Sequence, residues 1–96
     1  MRNIYVVCYD ICDAKRLRRI YKALRGFGDH LQLSVFRCEL SLMERAELIA
    51  TITPIVDHDE DQVLVVNIGP ADGRSSSAFE AIGRRYISPE RTAIIV

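Results

Sequence analysis

The chain of 96 residues has no apolar run near the roughly 20 residues that a membrane-spanning helix needs, so residence in a bilayer finds no support. It has no Gly-x-x-x-x-Gly-Lys and no Gly-x-Gly-x-x-Gly stretch, which removes the usual basis for binding nucleoside triphosphates or dinucleotides. Its cysteines, Cys8, Cys12 and Cys38, are odd in number and spaced neither as a redox pair nor as a zinc knuckle. They read as buried free thiols in a reducing, cytoplasmic setting. There is no internal repeat and no low-complexity segment. With 49% hydrophobic and 27% charged residues, the composition is that of one modestly cored globular domain over residues 1–96.

Net charge is also lacking, but the zero hides an asymmetry. Up to Cys38 there are eight basic residues (Arg2, Lys15, Arg16, Arg18, Arg19, Lys22, Arg25, Arg37) against three acids (Asp10, Asp13, Asp29), a balance of +5. The remainder therefore carries −5, much of it in Asp57, Asp59, Glu60 and Asp61, a run expected to be a solvated loop. A polarity of this kind is a weak pointer to nucleic acid.

Residues 3–10 form a nearly continuous β-branched and aromatic run, as in a strand covered on both faces, with Asp10 at its end. Asp13 is a suitable N-cap for a helix over about 14–26, stopped by Gly26 and Gly28. In that helix Leu17, Ile20, Tyr21, Leu24 and Phe27 give one apolar stripe. The remaining arc holds Lys15, Arg16, Arg18, Arg19, Lys22 and Arg25 with no acid between residues 14 and 28, and phosphate contact is favoured over plain solvation. Residues 31–40 alternate as one long strand, or as two divided by a bulge near Phe36 and Arg37. Ser41 to Glu44 is a capping box opening a second helix that Pro54 ends. A strand over 62–68 runs into a turn at Gly69–Gly73, and 74–77 read as a mobile link. Residues 78–86 suit a short helix or a strand, and Thr92–Val96 a terminal strand. Two helices on one sheet face leave the other face bare, which calls for a partner.

Asp10 is the acid least explained by solubility, since it closes a hydrophobic strand beside Tyr9 and ahead of the basic helix. A hard divalent cation needs only one or two carboxylates when phosphate and water supply the other oxygens. The competing reading is that Asp10 merely caps the turn. His30 and His58 suggest no catalytic arrangement.

Tyr9-Asp10-Ile11, Lys15-Arg16-Leu17-Arg18-Arg19 and Gln32-Leu33-Ser34-Val35-Phe36, taken together in this order and spacing, resemble the CRISPR-associated protein two family. The resemblance implies an α/β (α+β) fold, a ferredoxin-like βαββαβ plait, whose extra C-terminal strand pairs across a homodimer. It implies magnesium or a similar cation held by Asp10 of both chains as the catalytic centre. It places Tyr9, Ser34 and Phe36 in a shared cleft and Arg16, Arg18, Arg19 and Arg37 on phosphates. The implied activity is that of a metal-dependent endonuclease on RNA or DNA, acting in spacer acquisition and antiviral defence. The alternative is a non-catalytic duplex-DNA-binding scaffold of the spacer-integration complex; in both cases the spacer integrase is a partner. Arg37 departs from the pattern, standing where many relatives carry an acid. A short terminal strand gains its ladder bonds only from a sheet edge, so deleting residues 92–96 should convert the homodimer to monomer in a measurement of mass in solution; an unchanged dimer would contradict the assignment.

Overall fold

The structure is a computed structural model, and it describes residues 1–73 and 78–86. The expected link at 74–77 and terminal strand Thr92–Val96 lie outside the described residues. Its elements run β1 (Asn3–Asp10), α1 (Ala14–Arg25), β2 (Asp29–Gln32), β3 (Val35–Leu40), α2 (Leu42–Ile52) and β4 (Gln62–Pro70). The sheet order is β2-β3-β1-β4, with every neighbouring pair antiparallel. Two interleaved βαβ units result, β1-α1-β2 and β3-α2-β4, which is the ferredoxin-like plait.

One face of the sheet carries the core. Tyr5, Val7 and Tyr9 of β1 and Phe36, Cys38 and Leu40 of β3 meet Ile20 and Leu24 of α1 and Leu48 and Ile52 of α2. Tyr21 and Phe27 pack against this cluster, whereas Leu17 stays 41% exposed and leaves the stripe expected of it. Both helix starts form as their residues dictate. The Asp13 carboxylate accepts from the amides of Lys15 and Arg16, and Ser41 and Glu44 close the capping box at 3.1 and 2.9 Å.

Four local expectations are corrected. Residues 31–40 do divide, but at Leu33–Ser34 rather than near Phe36 and Arg37, because near and distant groups together hold the turn there: His30 Nε2 lies 2.9 Å from the Leu33 carbonyl oxygen, the Tyr9 hydroxyl donates to the same carbonyl at 3.3 Å and the Tyr9 amide to the Ser34 carbonyl at 3.1 Å. β4 runs on through Gly69 and Pro70, and the turn begins at Ala71. An extra residue between the partners of Ile4 and Tyr5 forms a bulge, and Gly69 at φ 111° absorbs it. Within residues 78–86 only Ala78 is helical, as 3₁₀, and residues 79–86 are neither helix nor strand; Gly83 at φ 101° lies where neither can continue. Of the cysteines only Cys38 is buried; Cys8 is intermediate and Cys12 exposed, all three unbridged.

By alternation Ile4, Val6, Cys8 and Asp10 point to the sheet face away from the helices, as do their register partners Gln62, Leu64 and Val66 on β4. This face is not bare throughout: Ile4 is fully buried and Arg37 is 8% exposed, while Leu64 and Val66 remain 50% and 45% exposed.

Among the described glycines, Gly28 marks the tightest approach. A Cβ there would lie 2.5 Å from Cys38 Sγ and 2.8 Å from its Cα, and closer still to the Arg37 carbonyl oxygen. Because the obstacle includes strand backbone, Gly28→Ala should lower stability by about 1–3 kcal/mol in urea unfolding; an unchanged midpoint would refute this account of the crossing.

Candidate active site

Asp10 ends β1 opposite Gln62 and is exposed. No hydrogen bond or ion pair engages its carboxylate among the described residues, unlike the acids around it. Asp13 is spent on the helix cap. Asp61, expected in a solvated loop, is instead the most engaged acid of this region. Its side chain has 0% exposure, and its Oδ1 accepts from the Cys12 amide at 2.8 Å and Arg16 Nη2 at 3.2 Å. Its Oδ2 accepts from Arg16 Nε at 2.7 Å and the Asp57 amide at 2.9 Å.

The two-pronged Arg16 contact is the main cause holding the Asp61 carboxyl well below the usual carboxylate range; the Cys12 and Asp57 amides add to it against the opposing effect of desolvation. Glu60 supplements the lock, its side chain 3.4 Å from Arg16 Nη2 and its carbonyl accepting from Cys12 Sγ at 3.0 Å. Desolvation and then the carboxylates of Asp10, Asp61 and Glu60 push the Cys12 thiol up, so it stays protonated at neutral pH.

On the helix side lies an open groove of about 760 Å³ lined by Tyr9, Lys15, Leu17, Arg18, Arg19, Tyr21, Lys22 and Leu33. It contains four cations and no acid, which is the electrostatics of a polyanion track. Arg18 and Arg19 fall in it as expected. Arg16 does not, being held by Asp61. Arg37 lies on the opposite sheet face, nearly buried, with its Nε unpaired among the described residues. Tyr9 lines the groove, its phenol pushed up by burial and then by Tyr21. Ser34 is half-buried in the hairpin turn, its carbonyl bonded to the Tyr9 amide. Phe36 is fully buried behind the groove, 5.6 Å from Tyr21 and 5.0 Å from His30 ring to ring, and forms core rather than lining.

At this strand end, among the described residues, a single chain thus offers a hard cation the one unengaged carboxylate of Asp10. Among the described residues no group of three or more His, Cys, Asp or Glu is placed to hold a metal. Asp10 fits as one of the one or two carboxylates that such an ion takes, and a second copy meeting the Asp10 edge would supply the other.

Fold, free acid and cationic groove define a small α+β plait equipped to handle polyanions. The comparisons make this particular: the model of the family described as CRISPR associated protein Cas2 matches residues 3–74, and the chain belongs to that family. It is 41% identical over 96 residues to the CRISPR-associated endoribonuclease Cas2 of Geobacter sulfurreducens, with all of both chains covered. It is 38% identical over 94 residues to CRISPR-associated endoribonuclease Cas2 1 of Rhodospirillum rubrum, covering 98% of this chain and 91% of that one. Among solved structures, a hypothetical protein from Thermus thermophilus superposes with TM-score 0.78 at 26% identity, over 94% of this chain and all of the other. Streptococcus pyogenes Cas2 does so at 0.72 and 25% identity, over 83% and 99%.

The sequence singles out Asp10, which the fold leaves exposed at the strand end, and Arg18 and Arg19, which line the groove, but not Asp61 as a fixed point; the one available signal was its place immediately before the strand whose first residue pairs with Asp10. Since the Asp61 carboxyl is depressed in the folded chain, its stabilisation is complete above the unfolded value near pH 4 and fades as pH falls through the folded one. Asp61→Asn should therefore melt several degrees below the parent at pH 7, and the gap should narrow as pH falls below about 4; a gap independent of pH would refute the ionic origin.

Proposed function

We propose that this chain is a CRISPR-associated endoribonuclease that hydrolyses phosphodiester bonds as a homodimer with magnesium or a similar divalent cation. The observation that carries the reading is the unengaged Asp10 carboxylate on the sheet face opposite the helices, the same face as the half-exposed Leu64 and Val66 row. A second copy docked on that face would cover the row and bring a second Asp10 near the first. Family membership and two relatives named endoribonuclease support the activity and the choice of RNA.

In this reading both Asp10 carboxylates hold the cation, which when bound polarises a phosphate oxygen and acidifies a water. The chain's own contribution is positioning. Arg18 and Arg19, with Lys15 and Lys22, neutralise backbone phosphates along the groove without reading bases, and Tyr9 joins groove to strand end. Arg37 and Arg16 have structural roles, Arg37 nearly buried on the other face and Arg16 bound to Asp61. Ser34 sits in the hairpin turn, and Phe36 packs in the core behind the groove. The spacer integrase is the expected partner. The cytoplasm is the expected compartment, consistent with three unbridged cysteines and with no helix among the described residues being long and apolar enough to cross a membrane.

Asp10→Asn keeps size and hydrogen-bonding capacity but removes the charge. It should abolish magnesium-dependent cleavage of single-stranded RNA, a loss of at least about 100-fold, while leaving dimer mass and RNA affinity near those of the parent. Cleavage at the parental rate would remove Asp10 from the chemistry, and binding of duplex DNA with no cleavage by either protein would favour the scaffold.

A further inference from the structure

We infer that Asp61 and Arg16 are positioning residues for the reaction at Asp10, clamping the β1–α1 turn that carries it; the inference rests on the endonuclease reading above. The turn runs from Asp10 to Asp13, and its two sides are fixed differently. Its helix side is self-contained, since Asp13 caps α1. Its strand side depends on the 57–61 loop: Asp61 Oδ1 takes the Cys12 amide, and the Glu60 carbonyl takes the Cys12 thiol. Cys12 is two residues beyond Asp10, and Gln62, next to Asp61, is the residue in register with Asp10 across the strands. One carboxylate thus ties together the chain just after Asp10, the chain just before its strand partner and the first turn of α1.

Asp61 itself is not available to a cation or to substrate, because its side chain has no exposed surface and both its oxygens are occupied. Arg16 is similarly withdrawn from the phosphate track: its side chain is 23% exposed, and its guanidinium is directed at Asp61 and Glu60. A carboxylate that holds a metal works only if its own backbone is held, and supporting groups of this kind commonly change metal affinity or activity 10- to 100-fold when removed. Arginine is required because two donors in one plane meet two oxygens, and a single ammonium cannot hold both.

The test compares full-length parent, Asp61→Asn, Arg16→Lys and Arg19→Ala at a temperature where circular dichroism shows all four folded. Single-stranded RNA cleavage gives kcat and KM, and calorimetric titration with Mn2+ alone gives metal affinity. Asp61→Asn should lower kcat and Mn2+ affinity each about 10-fold or more with KM unchanged, and Arg16→Lys should do so to a lesser degree. Arg19→Ala should raise KM and leave Mn2+ affinity unchanged. If Asp61→Asn is unfolded throughout, Arg16→Lys carries the comparison. Parental kcat and Mn2+ affinity in the folded clamp variants would overturn the inference while leaving the endonuclease reading intact. A rise in KM alone would place Arg16 on the substrate instead. A parent that neither cleaves RNA nor binds Mn2+ would overturn the endonuclease reading, and the positioning role with it.

Discussion

Strand β1 has to satisfy two neighbours and two faces at once, and the rest of the molecule is arranged around that requirement. Its residues pair with β3 on one side and β4 on the other, so its backbone groups are used along its length. Tyr5, Val7 and Tyr9 enter the helix-side core, while Ile4, Val6 and Cys8 face the other way. A strand so constrained cannot slip by one residue without turning its core set outward. Asp10 inherits this fixity from the strand, and the clamp at Asp61 extends it past the strand's end.

The charge distribution divides the labour of the first helix. Six cations on α1 read in sequence as one phosphate-binding arc. In the fold they separate by direction: Lys15, Arg18, Arg19 and Lys22 line the groove, Arg16 turns to the acidic loop, and Arg25 lies over Tyr21, with its Nη1 donating to the phenol at 3.1 Å. The excess of positive charge before Cys38 and of negative charge after it is thus partly a structural pairing between α1 and the 57–61 loop, and only the remainder is free to meet an external polyanion.

What could be read in the sequence was what depends on neighbours along the chain. The β1 run, the Asp13 cap, the Ser41–Glu44 box and the α1 stripe are local patterns, and all formed, save that Leu17 left the stripe. What escaped depends on residues far apart. The break at Leu33–Ser34 has no glycine, proline or asparagine to announce it; besides a side-chain contact from His30, its bonds come from Tyr9 on β1. Asp61 looked like one more solvated acid because its partners Cys12 and Arg16 lie 49 and 45 residues away. Asp10 stood out because an acid closing an apolar strand is anomalous locally; Phe36, which the family resemblance placed in a cleft shared by two chains, is fully buried within one chain, since alternation tells which residues share a side but not which of them a helix will cover.

The hairpin turn has a consequence for the order in which the chain assembles. Lacking glycine, proline and asparagine, it is held by the nearby His30 and by Tyr9 on β1, 24 residues earlier. The β2–β3 hairpin therefore gains its full set of turn contacts only once β1 is in place beside β3. Folding should start where signals are local, at the two capped helices, and be limited by the docking of the long-separated strands, which gives this small domain the slower kinetics of a topology rich in distant contacts.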